Sequence, residues 1–390
     1  MQSACPEHTV MGEYKKQLKS AGFVILLMAI LIFCPLVIRG QDEQPDDPLF
    51  VLGGRIHRGF IIKHTKKLKD EVTQSNPWSI EAEAIWHLRK RDTWDYCSCY
   101  PRTGISLNYT NFNLPGILGS AISVYPFIEP SIRPENPLHF YIRFGMGPAF
   151  VTKVWDEENN PDNLFLSARV SFFLTARFAM SYRLNNQLSV LVAGNYNHIS
   201  NSGYKLPNLG INYPTISTGI EYNFSEPFFE EREKDPHKIL NPRKNRFDIL
   251  FGASIKPIEK ELPDRYPVYV LGLNYSRTIG RLIAVSAGAE WINDGATEAK
   301  IILFNWVDDS ENYLDHNRIS VLAGIEWIFG KFIFYQQLGY YVYTPLIPKN
   351  KIYQRYGLSR KLTDHLYIGI NLKVSLANAD FMDLRIGICF

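Results

Sequence analysis

Residues 366–376 read Leu366-Tyr367-Ile368-Gly369-Ile370-Asn371-Leu372-Lys373-Val374-Ser375-Leu376, with an apolar side chain at every even position and Tyr, Gly, Asn, Lys or Ser at every odd one. Successive side chains of an extended backbone point to opposite faces, so this period of two describes a strand with one greasy and one polar side. The final segment repeats the pattern. Met382, Leu384, Ile386, Ile388 and Phe390 stand against Asp383, Arg385, Gly387 and Cys389. In 78–86 the apolar face is Trp78, Ile80, Ala82, Ala84 and Trp86, and in 247–255 it is Phe247, Ile249, Phe251, Ala253 and Ile255. Similar runs lie near 49–62, 103–110, 116–127, 138–152, 164–182, 188–200, 213–224, 267–276, 281–292, 317–329, 331–345 and 352–360. The reading is all-β, with about sixteen strands.

A secreted sandwich alternates in the same way, so other features must say what the apolar face meets. Lys15, Lys16 and Lys19 precede an apolar run from Ala21 to Ile38, then Arg39-Gly40-Gln41 opens an acidic stretch, the order of a secretory signal peptide over residues 1–40. A signal anchor is the other reading of that run, but Pro35 and the small Gly40 favour cleavage. Phe33 before Cys34 argues against a lipoprotein site, and Met11 is an alternative start. The polar faces carry Gly, Ser, Asn, Glu and Lys as a wet lumen would, Trp and Tyr sit at strand ends as interfacial girdles do, and Phe390 ends the chain in the outward phase. In hydrocarbon an open sheet edge leaves N–H and C=O groups unpaired, so the sheet must close. The expected architecture is therefore an antiparallel transmembrane β-barrel of outer-membrane type with about 12–16 strands. A charged linker, 225–244, divides strands 41–224 from strands 245–390, which are expected to complete the same barrel, with a second tandem barrel as the alternative.

Lys and Arg number 42 against 39 Asp and Glu, and the first forty residues hold four of those cations and two of those anions. A chain so balanced is not a nucleic-acid binder. Five cysteines are too few for a disulfide scaffold, and Cys97-Ser98-Cys99 reads as an oxidised pair or as incidental, without the further ligands a metal needs. Glu221, Glu290 and Glu326 recur in the repeats Gly219-Ile220-Glu221-Tyr222, Gly288-Ala289-Glu290-Trp291 and Gly324-Ile325-Glu326-Trp327, always on the inner face, and read as lumen residues rather than catalysts.

The chemistry lies in Leu188–Asn201. Its even positions read Leu188, Val190, Val192, Gly194, Tyr196, His198 and Ser200, so His198 and Ser200 continue the outward face. Two residues apart on a strand they project the same way about 6.6 Å apart at Cα, a spacing from which an imidazole reaches a hydroxyl as base to nucleophile. A solvated rim histidine is the plain alternative.

The stretch His198-Ile199-Ser200-Asn201-Ser202-Gly203-Tyr204-Lys205-Leu206-Pro207-Asn208-Leu209-Gly210-Ile211-Asn212 resembles the H-x-S-N-x-G-x-x-x-P-N-x-G-I-E motif of the PagL-type lipid A 3-O-deacylases, outer-membrane barrels also described as acyloxyacyl hydrolases. The resemblance spans roughly residues 48–224, including Tyr125-Pro126-Phe127 and Ile142–Lys153. It implies a serine esterase of the bacterial outer membrane acting on lipid A, the lipopolysaccharide anchor in the outer leaflet, with no metal or organic cofactor. Ser200 would be the nucleophile and His198 the base. Asn201 and Asn208 would shape the site and stabilise the oxyanion, and Gly203 and Gly210 would let the loop turn. The family acid falls at Asn212, an amide that still accepts from an imidazole N–H but brings no charge. A non-catalytic barrel, channel or scaffold, that has lost its acid is therefore the second expectation. Lys205 in the loop could meet a lipid A phosphate, although a solvated loop lysine is the default reading.

Overall fold

The computed structural model describes residues 46–233, 244–258, 264–280, 282–346, 351–375 and 378–390. The expected leader and the middle of the linker fall outside the described residues. Up to the linker the strands are β1 Leu49–Gly59, β2 Trp78–His87, β3 Arg102–Leu114, β4 Gly119–Glu129, β5 Ser131–Ile132, β6 Leu138–Val151, β7 Val170–Arg183, β8 Leu188–Ser200 and β9 Ile211–Asn223. After it come β10 Asn245–Pro257, β11 Arg265–Thr278, β12 Ile283–Asp294, β13 Asn317–Phe329, β14 Phe332–Tyr343, β15 Ile352–Lys361, β16 Leu366–Ser375 and β17 Asn378–Cys389. Nearly all are 10–14 residues long, enough to cross a bilayer at a tilt.

These strands close twice, which corrects the expectation of one barrel. In the first half β1 pairs with β9, from Val51↔Asn223 to Gly59↔Thr215, and β4 pairs with β6 across the two-residue β5, completing a ring of eight long strands. In the second half β10 pairs with β17, from Asp248↔Cys389 to Ala253↔Leu384, and β10–β17 form a closed barrel. Each even set of hairpins returns its last strand beside its first, so each removes its own edges. Residues 245–390 are thus the second barrel, the alternative reading.

The alternation assigns the faces as expected. Ile56, Ile80, Leu107, Phe178, Ile216 and Ile220 stand exposed on the outer wall of the first barrel, and Phe251, Leu273, Leu338 and Ile386 on that of the second. Among the described residues no helix is long and apolar enough to cross a membrane, and the greasy band belongs to the strands. At the strand ends opposite the β8–β9 loop, Phe50 packs on Trp86 and Phe224 with ring centroids 5.6 and 5.4 Å apart, an aromatic girdle.

The interiors are packed with buried polar side chains. In the first barrel four arginines meet four glutamates, all buried. Arg55 bridges Glu83 and Glu221 at 2.8 Å each, Arg102 bridges Glu129 and Glu221, Arg143 bridges Glu83 and Glu129, and Arg177 bridges Glu81 and Glu83. Charges taken from water need such matching, since a lone buried ion costs several kcal/mol. The second barrel repeats the device with Arg355 and Arg385 on Glu290 and Asp383, and Arg246 on Asp248 and Glu326. The repeated glutamates are therefore structural, as their inward phase implied.

Above the ionic layer the first barrel is stoppered by oil. The sequence reading began a strand at 164, yet Phe165 and Leu166 lie in the loop before β7, buried with Ile61, Leu68, Val72, Leu118 and Ile199. Their apolar spacing serves packing into the mouth rather than a membrane face. Cys97 and Cys99 are joined to each other in the β2–β3 connection.

Candidate active site

β8 carries the site because its outward phase runs unbroken to its end. Val190, Val192 and Tyr196 are exposed, and His198 and Ser200 continue the row half-buried where loops fold over them. The antiparallel register with β9 sets His198 directly opposite Asn212. The side chains meet, His198 Nδ1 lying 2.7 Å from Asn212 Oδ1. Tyr196, one pleat down the same face, donates its hydroxyl to that same oxygen at 2.9 Å. An amide oxygen can only accept, so the imidazole hydrogen sits on Nδ1 and Nε2 keeps its lone pair.

Gly210 shows where that lone pair lies. A Cβ added there would stand 2.6 Å from His198 Cε1 and 3.3 Å from both His198 Nε2 and Ser200 Cβ. Ring nitrogen and serine therefore flank one small space, which only glycine leaves open. Its φ of +70° is a left-handed conformation that also favours glycine. Among the described residues Ser200 Oγ makes no hydrogen bond, so the expected contact with His198 is not formed here, and turning Oγ toward Nε2 would break no bond. Such apo contacts commonly tighten only with substrate bound.

The loop beyond Ser200 is held by its own amides. Asn201, fully buried, donates Nδ2–H to Ser167 Oγ (3.1 Å) and to the Lys205 carbonyl (2.8 Å), and its Oδ1 accepts from Gly203 N–H (3.0 Å). Its own N–H donates to Asn208 Oδ1 at 3.0 Å. Asn201 and Gly203 thus serve the turn, with Gly203 at φ +86° and the Asn201 side-chain amide engaged within the loop. The Leu209 and Gly210 N–H groups are engaged by the Leu164 and Phe165 carbonyls of the mouth stopper. Among the described residues the Asn208 Nδ2 hydrogens are also left without a hydrogen-bond partner, while Oδ1 is held by Asn201 N–H. Lys205, exposed at the tip, is pushed below its ordinary pKa by partial burial and then by Arg265, against the pull of Asp156. The Arg265 guanidinium, from the second barrel, also lies over the Tyr204 ring at 5.2 Å.

His64 was missed. It stands outside the motif that pointed to the site, yet the segment after β1 runs on beside β9. Ile62 N–H donates to the Asn212 carbonyl at 2.8 Å, and His64 arrives 3.5 Å from Asn212 Nδ2. The signal was the strand reading itself, which carried 49–62 past Gly59 toward that edge.

Below the site a groove of about 580 Å³ crosses the outer wall. Two in-register rows line it, Phe144, Ala176, Tyr196 and Pro214 above, and Ile142, Phe178, Gly194 and Ile216 beneath. The small Ala176 and Gly194 make the hollow between their larger neighbours.

Residues 79–221 match the family model for lipid A 3-O-deacylase (PagL), and residues 245–390 match that for the acyloxyacyl hydrolase C-terminal domain. No curated protein matches the chain. Solved structures similar to it include the outer-membrane enzyme PagL, at 16% identity over 43% of this chain and 97% of that one, with a TM-score of 0.32. Neisserial surface protein A follows at 12% identity over 45% and 97%, with a TM-score of 0.29.

Proposed function

We propose that this chain, a member of the lipid A 3-O-deacylase (PagL) family of bacterial outer-membrane barrel hydrolases, removes an ester-linked acyl chain from lipid A with Ser200 as nucleophile and His198 as base. The observation that carries the reading is the outward cluster at the mouth. His198 is fixed by Asn212 with its free nitrogen turned to the space it shares with Ser200. An outer-leaflet ester lies beside the barrel wall, so its enzyme must present the nucleophile outside rather than in a lumen.

Ser200 Oγ adds to the ester carbonyl carbon as its proton passes to His198 Nε2. The Asn208 amide is a donor free to meet the oxyanion, and a preorganised donor of this kind is worth about 2.7–4 kcal/mol. Collapse breaks the bond to the sugar oxygen, which takes the proton from His198, and leaves an acyl-serine. Water then repeats the sequence with the same base and frees the fatty acid. The acyl chain lies along the groove under Tyr196.

The second reading, a non-catalytic barrel, is favoured by the amide at Asn212. As a channel it is opposed by interiors filled with ion pairs. Purified protein incubated with lipid A and the products weighed by mass spectrometry separates the readings. Loss of one hydroxyacyl mass supports the hydrolase, and unchanged lipid A at every pH and temperature tried sinks it.

The groove makes its own prediction. A Cβ at Gly194 meets nothing within 4 Å, so Gly194→Leu should fold normally while filling the hollow. Turnover of long-chain esters should fall several-fold, mainly through KM, while short-chain esters are spared, because only the long chain uses that binding energy. Equal losses for both lengths would remove the groove from the substrate path.

A further inference from the structure

An acid and an amide differ in symmetry as well as charge. A carboxylate offers His198 an oxygen whichever way it lies. Asn212 does so only with Oδ1 toward the ring. Turned over, its NH2 would face Nδ1, draw the imidazole hydrogen to Nε2, and leave no lone pair for the serine proton. A triad completed by asparagine therefore needs something to hold the amide the right way up.

Two groups contact that amide from outside the motif. The Tyr196 hydroxyl donates to Oδ1 at 2.9 Å, which holds the oxygen end. His64 Nδ1 lies 3.5 Å from Nδ2, at the nitrogen end. The ring is oriented in turn, since its Nε2 lies 3.0 Å from the Leu209 carbonyl, which can only accept. A hydrogen on Nε2 leaves Nδ1 as an acceptor facing the Asn212 NH2. The Ile62 carbonyl, 3.3 Å from the same Nδ1, would be served instead by a hydrogen on that nitrogen, the tautomer that the Leu209 carbonyl opposes.

We propose that neutral His64 is a positioning residue, accepting from Asn212 Nδ2 so that Oδ1 is held on His198 and the base keeps its Nδ1–H tautomer. This rests on the reading of His198 and Ser200 above, and it assigns the β1–β2 loop a part in the reaction. It also explains how the site tolerates the missing acid.

The test compares His64→Ala and His64→Gln in the native chain and in an Asn212→Asp background, with lipid A in detergent micelles. Loss of one hydrogen bond of this kind should lower kcat by about tenfold in His64→Ala with KM unchanged. His64→Gln, whose Oε1 can accept from the same NH2, should recover most of it. In the Asn212→Asp background His64→Ala should cost nothing, because the carboxylate has no wrong orientation. Unchanged kcat in the single variant, or the same loss in both backgrounds, overturns the proposal. Nitrogen-15 spectra of ring-labelled histidine read it without turnover. His198 should be a single Nδ1–H tautomer in the native protein and a mixture in His64→Ala. A native His64 that carries hydrogens on both nitrogens, or a His198 tautomer indifferent to His64, also overturns it. If Ser200→Ala keeps the native rate the esterase reading fails, and the spectra still decide the role of His64.

Discussion

Ser200→Ala is expected to lower kcat on lipid A by about four to six orders of magnitude, with His198→Ala close behind, because a hydrolase stripped of nucleophile or base retains only binding and oxyanion donors. The double variant should be no worse than either single one, since two groups that move one proton act as a unit. The effect should be purely chemical. Ser200 Oγ makes no hydrogen bond among the described residues, and its Cβ remains in the alanine. Thermal unfolding followed by circular dichroism should therefore coincide with the parent. His198→Ala also leaves the Asn212 oxygen with its Tyr196 bond alone, so a small stability loss is expected there. Native turnover in folded Ser200→Ala would mean that another nucleophile does the work.

The faces of nearly every strand were legible because alternation is a local property, set by two neighbours at a time. Glu221, Glu290 and Glu326 were read inward from that phase alone, and each is buried on arginines. His198 and Ser200 were read outward by the same parity, and the register sets His198 against Asn212. Partners are a different matter. Nothing in the pattern of β9 says that it returns to β1 at Val51↔Asn223, nor in that of β17 that it returns to β10, so one ring and two rings share a single alternation. The arginine–glutamate pairs reach across 14 to 166 positions, from Arg143–Glu129 to Arg55–Glu221, and pass for a wet lumen until the ring closes. The apolar run at 164–169 misled for the opposite reason, since a stopper packed into a mouth and a strand facing lipid are both greasy. His64 was hidden because a loop histidine gains its meaning only from what the loop passes.

Restoring the acid at Asn212 is the second large effect, in the opposite direction. As Ser200 gives up its proton, His198 becomes an imidazolium held at Nδ1 by a neutral oxygen 2.7 Å away. Hydrogen bonds to charged groups contribute about 1.5–3 kcal/mol against about 1 for neutral ones, and the charge is present only after proton transfer begins, so the gain falls on the transition state. Asn212→Asp places a carboxylate oxygen where Oδ1 stands now, without moving the backbone that pairs with His198 and Ile62. On that basis kcat should rise by about 3- to 30-fold with KM unchanged. The new charge is not left bare, because the Tyr196 hydroxyl already points at it and the site is open to the outside. Asn212→Glu carries the family acid on one more methylene, so it should gain as much only if the ring can withdraw from Gly210, whose Cβ position lies 2.6 Å from His198 Cε1. The ranking Asp at or above Glu, and both above Asn, is thus a statement about distance as well as charge. A rate that falls in both variants, with melting unchanged, would show that the amide is the chemically required group and that His198 does not become charged during the reaction.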